Sequence, residues 1–237
     1  MKHELVFLFD VDNTLLDADR IALDLGAYLD KTVGHDRQQR YWTLFLFKQL
    51  RDELGYADYL GALQRYRVEE PGDPHAIELS RFLINYPFKR RLFPDALRVI
   101  AHMKQQQGHV VLVSDGDAVL QPHKIERAGL LAAVDGHLWV SVHKERELGR
   151  IEARYPAEHY VLIDDKLRIL SVAKTVWGPR VTTVLPRQGR HARSINGRDN
   201  LGAPDVSVER IGDLLRGALD MVVPIPPLVC SGMQTAS

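Results

Sequence analysis

Three short polar segments each close an apolar run. Asp10-Val11-Asp12-Asn13-Thr14 follows Leu5–Phe9, Ser114-Asp115-Gly116 closes the run from His109, and Asp164-Asp165 follows Tyr160–Ile163. Two neighbouring acids at a strand end repel unless a cation neutralises them, and a ligand set made only of oxygens favours Mg²⁺. The Ser114 hydroxyl, with a glycine-containing turn beside it, suits a phosphate cradled by backbone N–H groups. Singly, each segment has an ordinary alternative, because Asp, Asn and Ser at strand-end turns also bond their own backbone. Lys144 lies 20 residues ahead of Asp164; alone it reads as one surface lysine among many.

The elements that would position these groups alternate. Leu5–Phe9, His109–Ser114, Tyr160–Ile163 and Val181–Leu185 are continuous apolar runs, the pattern of strands covered on both faces in a parallel sheet. Between them, helical spacing runs from Asp95 to Lys104 ahead of Gly108, and from Val119 to Ala128 ahead of Gly129, with glycine where a helix C-terminus calls for it. Glu145–Tyr155, Leu167–Trp177 and Arg210–Val222 complete the set. The alternation implies a parallel sheet with right-handed crossovers, whose strand C-terminal ends carry the site. Residues 17–86 break it as a long helical insertion after the first strand, with Trp42, Phe45, Leu46 and Leu50 on one face, a turn at Glu70–Pro74 and a return linker over Pro87–Pro94.

Composition narrows the function classes. The chain has 237 residues, 31 Lys and Arg against 31 Asp and Glu, 45% hydrophobic and 26% charged residues. Such values are globular, and the neutral balance argues against a polybasic nucleic-acid binder. The one cysteine, Cys230, allows no intrachain disulfide and fits a reducing, cytoplasmic setting. The first apolar run is far shorter than the ~18 residues of a membrane span, so neither signal peptide nor anchor is expected.

Taken together, in order, placement and separation, these segments resemble the haloacid dehalogenase (HAD) superfamily of hydrolases over about Leu5–Leu219. Asp10-Val11-Asp12-Asn13-Thr14 matches its first motif, Ser114-Asp115-Gly116 the second, Lys144 the third and Asp164-Asp165 the fourth. The resemblance implies an α/β fold, a doubly wound, Rossmann-like parallel sheet core with an inserted helical cap of the C1 type. The core would be residues 1–16 and 87–223, the cap 17–86, and 224–237 a C-terminal tail. It further implies that Asp10 is the nucleophile that forms an aspartyl-phosphate and that Asp12 protonates the leaving oxygen and later activates water. Thr14, Ser114, Asp115, Gly116 and Lys144 would contact the substrate phosphate. Mg²⁺ would be held by the Asp10 side chain, the Asp12 carbonyl and Asp165, while Asp164 acts through water or orients Lys144.

Within the superfamily, dehalogenases and phosphonatases lack the second aspartate, so Asp12 favours phosphate chemistry. The implied activity is a Mg²⁺-dependent phosphatase acting on a small phosphorylated metabolite; a phosphomutase on a sugar phosphate, or a non-catalytic binding module, would share the same residues. Neither nucleic acid nor membrane is an expected partner, and self-association into a homo-oligomer is left open. Glu145 stands where family members often carry proline. Other features read as background: the loop Pro186–His191 with Arg193 and Arg198 as solvated, Lys89-Arg90-Arg91 as a linker, His143 as an ordinary histidine, and Lys166 as directed away from the site.

Overall fold

The computed structural model describes residues 2–32, 34–36, 39, 56, 58–106, 108–193 and 201–219. Strands β1 (His3–Phe9), β2 (His109–Asp115), β3 (Leu138–Ser141), β4 (Ala157–Ile163), β5 (Val181–Pro186) and β6 (Val206–Val208) form one sheet in the order β3-β2-β1-β4-β5-β6. Every neighbouring pair is parallel. The four apolar runs are the four inner strands. The two edge strands escape the sequence pattern because they are short and only partly buried at most positions.

Side chains of β1 alternate between two packed layers, as the pleat requires. Leu5, Phe7 and Phe9 join Val99, Ile100 and Met103 of α4 (Ala96–Gln105) and Ile125 and Ala128 of α5 (Leu120–Ala128). Val6 and Leu8 join Leu148 and Ile151 of α6 (Leu148–Arg154) and Ile169, Leu170, Ala173 and Trp177 of α7 (Leu167–Trp177). Helices therefore cover both faces, the doubly wound arrangement. Gly108 permits the closest approach in the first layer: a Cβ there would lie 2.2 Å from the Phe7 ring.

Between β1 and β2 the chain inserts α1 (Ala18–Thr32), α2 (Tyr59–Glu69) and α3 (His75–Asn85). α1 buries Ile21, Leu25 and Leu29, one residue per turn, and Asp58 caps α2 by accepting the Gly61 amide at 2.7 Å. The two chain crossings lie side by side: Leu16 bridges Leu92 antiparallel, Asp17 N donates to Arg91 O at 2.7 Å, and Phe93 N to Leu15 O at 2.9 Å. Arg91 is no free linker charge, since its guanidinium reaches Asp24 of α1 at 2.6 Å and the Tyr86 hydroxyl at 2.7 Å. Trp42, Phe45, Leu46, Leu50, Arg198 and the tail 224–237 lie outside the described residues.

Two helices differ from their sequence reading. Lys144–Arg146 is a 3₁₀ turn ahead of α6, and Ile211–Arg216 is a 3₁₀ helix in place of the start of the expected Arg210–Val222 helix. Gly217 ends the latter with φ +76°, a left-handed residue that helical backbone does not continue through. Among the described residues no helix is long and apolar enough to cross a membrane.

At the sheet edge where β1 and β2 begin, His3 stacks on His109 with ring centroids 4.3 Å apart, and His137 meets His109 edge-on at 4.2 Å. Burial, then the neighbouring His137 and His3, push the His109 pKa down to about 4. The unfolded chain takes up that proton near pH ~6.5, so this contribution to stability is present above that pH and is lost as pH falls toward 4. His109→Phe is expected to flatten the acid limb of the thermal unfolding midpoint plotted against pH; a limb as steep as in wild type would assign it elsewhere.

Candidate active site

The polar segments meet where β1, β2 and β4 end. Asp10 N donates to Ile163 O at 2.9 Å, which ties the turn after β1 to β4. The turn itself needs a left-handed residue, and Asn13 supplies it at φ +63°, a conformation that asparagine tolerates. The Asn13 amide exchanges two 3.1 Å hydrogen bonds with Asp19, so the loop is fastened to the first turn of α1.

Lys144 is the hub of the site. Its side chain is almost wholly buried, its ammonium donates to Asp10 Oδ1 and to Val113 O, and it lies 2.6 Å from Asp164 Oδ2. Burial opposes its charge, but Asp10, Asp164 and Asp115 together hold its pKa above the ordinary lysine value. Asp10 is held above the usual carboxylate range, mainly by burial and against the pull of Lys144. Asp115 is also raised by burial. Its carboxylate accepts the Lys144 amide at 2.7 Å, so it fixes the Lys144 loop against β2.

Asp10, Asp164 and Asp165 bring carboxylate oxygens within 4.8 Å of one another. Asp10 Oδ2 and both oxygens of Asp165 are buried without a hydrogen-bond partner. Buried carboxylate oxygens left in this state are costly, and a hard divalent cation is what such an oxygen set accommodates. Asp164 contributes differently, with one oxygen on Lys144 and the other accepting the Lys166 amide at 2.8 Å.

Above them is a cavity of about 910 Å³ lined by Asp10, Asp12, Ser114 and Asp115 from the core and by residues of α1, α2 and α3. Asp12 points into it and is bound by two residues the sequence reading missed: Lys124 Nζ lies 2.6 and 2.7 Å from the two carboxylate oxygens, and Gln121 Nε2 donates to Oδ2 at 3.1 Å and to Ser114 Oγ at 2.6 Å. A signal for them existed. Gln121 and Lys124 occupy buried positions of α5 beside Ile125 and Ala128, so two polar residues sit on what would otherwise be an apolar stripe.

Several expectations change in detail. The Gly116 N–H is not free to cradle a phosphate, because it donates to Ser141 O at 2.9 Å. Glycine is needed there for another reason: a Cβ would lie 2.6 Å from Gln121. Thr14 is fully buried and is not among the cavity-lining residues. Lys166, expected to point away, lines the cavity, and its charge acts on Asp10, Asp115 and Asp165. The basic loop is not simply solvated: Gln188 donates to Thr14 O at 2.6 Å, and a Cβ at Gly189 would meet Asn13 at 2.4 Å. Arg190 lines the cavity and pairs with Asp19, while His143 lines it beside Glu145.

Burial, then Asp10 and Asp164, raise the Asp165 pKa to about 8. An unfolded aspartate ionises near pH ~3.9, so the metal-free protein loses stability as pH rises from there through about 8. A divalent cation such as magnesium would bind the ionised carboxylates, so its addition is expected to raise the thermal unfolding midpoint more at about pH 8 than at about pH 5. Asp165→Asn should remove both the alkaline loss and the magnesium response. A midpoint indifferent to magnesium at either pH would argue against a cation here.

Residues 5–170 match the model of the haloacid dehalogenase-like hydrolases. Among solved structures, a protein of Burkholderia xenovorans LB400 described as haloacid dehalogenase-like is 48% identical, with 93% of this chain and 99% of that one covered at a TM-score of 0.86. L-2-haloacid dehalogenase of Xanthobacter autotrophicus is 17% identical, with 92% and 99% covered at 0.59. The HAD-hydrolase YfnB of Bacillus subtilis, whose crystal structure holds magnesium, is 16% identical, with 91% and 98% covered at 0.60. These last two likenesses concern the fold alone. No curated protein matches. The matched stretch spans the first, second, third and fourth motif segments, and the chain belongs to the haloacid dehalogenase-like hydrolases.

Proposed function

We propose that the protein is a Mg²⁺-dependent phosphatase that hydrolyses a small phosphorylated metabolite through an aspartyl-phosphate on Asp10, under a lid of the C1 type formed by the inserted helices. The observation that carries this reading is the place of Asp12. Its carboxylate faces the cavity beside Asp10 and Ser114 and stands apart from the cation-type cluster of Asp10, Asp164 and Asp165. An ester oxygen needs a proton as it leaves, which a group in this position supplies; a departing halide needs none.

In the first step the Asp10 carboxylate attacks phosphorus, the ester P–O bond breaks, and the proton of Asp12 passes to the departing oxygen. In the second, Asp12 takes a proton from water as the water oxygen attacks phosphorus. The bond to Asp10 then breaks and inorganic phosphate is released. Lys144, held between Asp10 and Asp164, offsets the charge that would otherwise keep a phosphate dianion from a carboxylate. Ser114 orients the phosphoryl group. Asp10, Asp165 and the Asp12 carbonyl would hold a divalent cation, which would supply the remaining charge neutralisation when bound.

Phosphate release from an aryl phosphate and from a panel of phosphometabolites, with magnesium and with chelator, tests the reading. Asp12→Asn is expected to lower kcat by ~10²–10⁴-fold, and Asp10→Asn to abolish turnover. Activity that survives Asp10→Asn or chelation, or halide release from a 2-haloacid in place of phosphate release, would overturn it.

A further inference from the structure

Asp12 is held more firmly than its exposure would suggest. Lys124 reaches both of its oxygens and Gln121 a second time reaches one of them, whereas an aspartate carboxylate is otherwise broadly free to turn about its last torsion. Both partners are buried side chains on α5. That helix is itself fixed: Asp117 caps it by accepting the Val119 and Leu120 amides at 2.8 and 2.6 Å, and His123 lies 2.7 Å from Ile84 O of α3. Gly116 leaves the space that Gln121 occupies. Gln121 also bonds Ser114, so the groups flanking the reacting phosphorus share one support.

We propose that Lys124, together with Gln121, is the positioning residue for Asp12, setting the carboxylate so that proton transfer to the leaving oxygen is aligned. This rests on the phosphatase reading. Lys144 neutralises the nucleophile side of the site and Lys124 orients the leaving-group side, and the two lysines have different carboxylate partners. The role makes a demand on chemistry that a packing role does not: it matters in proportion to how much the leaving oxygen needs a proton. An alkoxide needs one and a nitrophenolate does not.

The test is kcat and KM for Lys124→Met, Lys124→Arg and Gln121→Met on an alkyl phosphate and on nitrophenyl phosphate, with thermal unfolding to show that each variant is folded. Lys124→Met is expected to lose ~10²-fold in kcat on the alkyl ester and less than ~10-fold on the aryl ester. KM should stay nearly unchanged, and Lys124→Arg should recover part of the alkyl activity. Equal losses on both esters, a raised KM with kcat retained, or no loss would each overturn the proposal. If Lys124→Met does not fold, Gln121→Met carries the same comparison. Crystal structures of the variants give a readout independent of turnover, in which the Asp12 carboxylate is expected to have rotated; an Asp12 oriented as in wild type overturns the proposal. Wild type that releases phosphate from neither ester sinks the phosphatase reading instead, and the rotation of Asp12 then decides the positioning role alone.

Discussion

A buried ammonium set among carboxylates is the constraint on which the rest of the structure depends. Lys144 comes from the loop after an edge strand, yet its Nζ is in contact with Asp10 and Asp164 at the ends of the two central ones. Removing one partner of such a buried pair costs ~3–5 kcal/mol, because the charge left behind is uncompensated. The parallel sheet makes the meeting possible, since all strands end on the same side and each delivers its next residue to one rim. Asp115 adds the tie that holds the lysine loop to β2.

Lys144, even with the charge of Lys166 beside it, does not balance the four acids around it. Asp10, Asp115 and Asp165 are all pushed above the usual carboxylate range by burial, and the oxygens left without partners are concentrated on the face where Asp165 meets Asp10. The polypeptide alone therefore leaves its charge incomplete, as a site built around an added cation would. Lys124 serves a separate purpose in the cavity, where its ammonium bonds both oxygens of Asp12. Gln121 joins Asp12 to Ser114 at the end of β2.

Much of this was legible in the sequence, for a definite reason. Strands buried on both faces must be apolar at every position, so Leu5–Phe9 and Tyr160–Ile163 announce themselves, and the first polar residue after each marks the rim. Edge strands carry no such requirement, and Leu138–Ser141 and Val206–Val208 left no trace. Gly116 was read from its neighbours in sequence, whereas its reason lies five residues on, in the side chain of Gln121. The course of the Gln188–Arg190 loop depends on tertiary contacts with Thr14 and Asn13, which no local pattern encodes, nor does any local pattern tell that Lys166 lines the cavity. Lys124 was missed as one more charged residue on a helix, although its place on the buried stripe of α5 set it apart.

The paired crossings at Leu16 and Leu92 govern how the inserted helices can move. Two tethers joined edge to edge by backbone hydrogen bonds form a short two-stranded ribbon, so a displacement of the inserted helices that pulled one tether from the other would break those bonds. Leu16 also bridges Asp12, and its carbonyl accepts the Asn13 amide at 2.6 Å. The two crossings are thus built from the same few residues as the turn that carries Asp12.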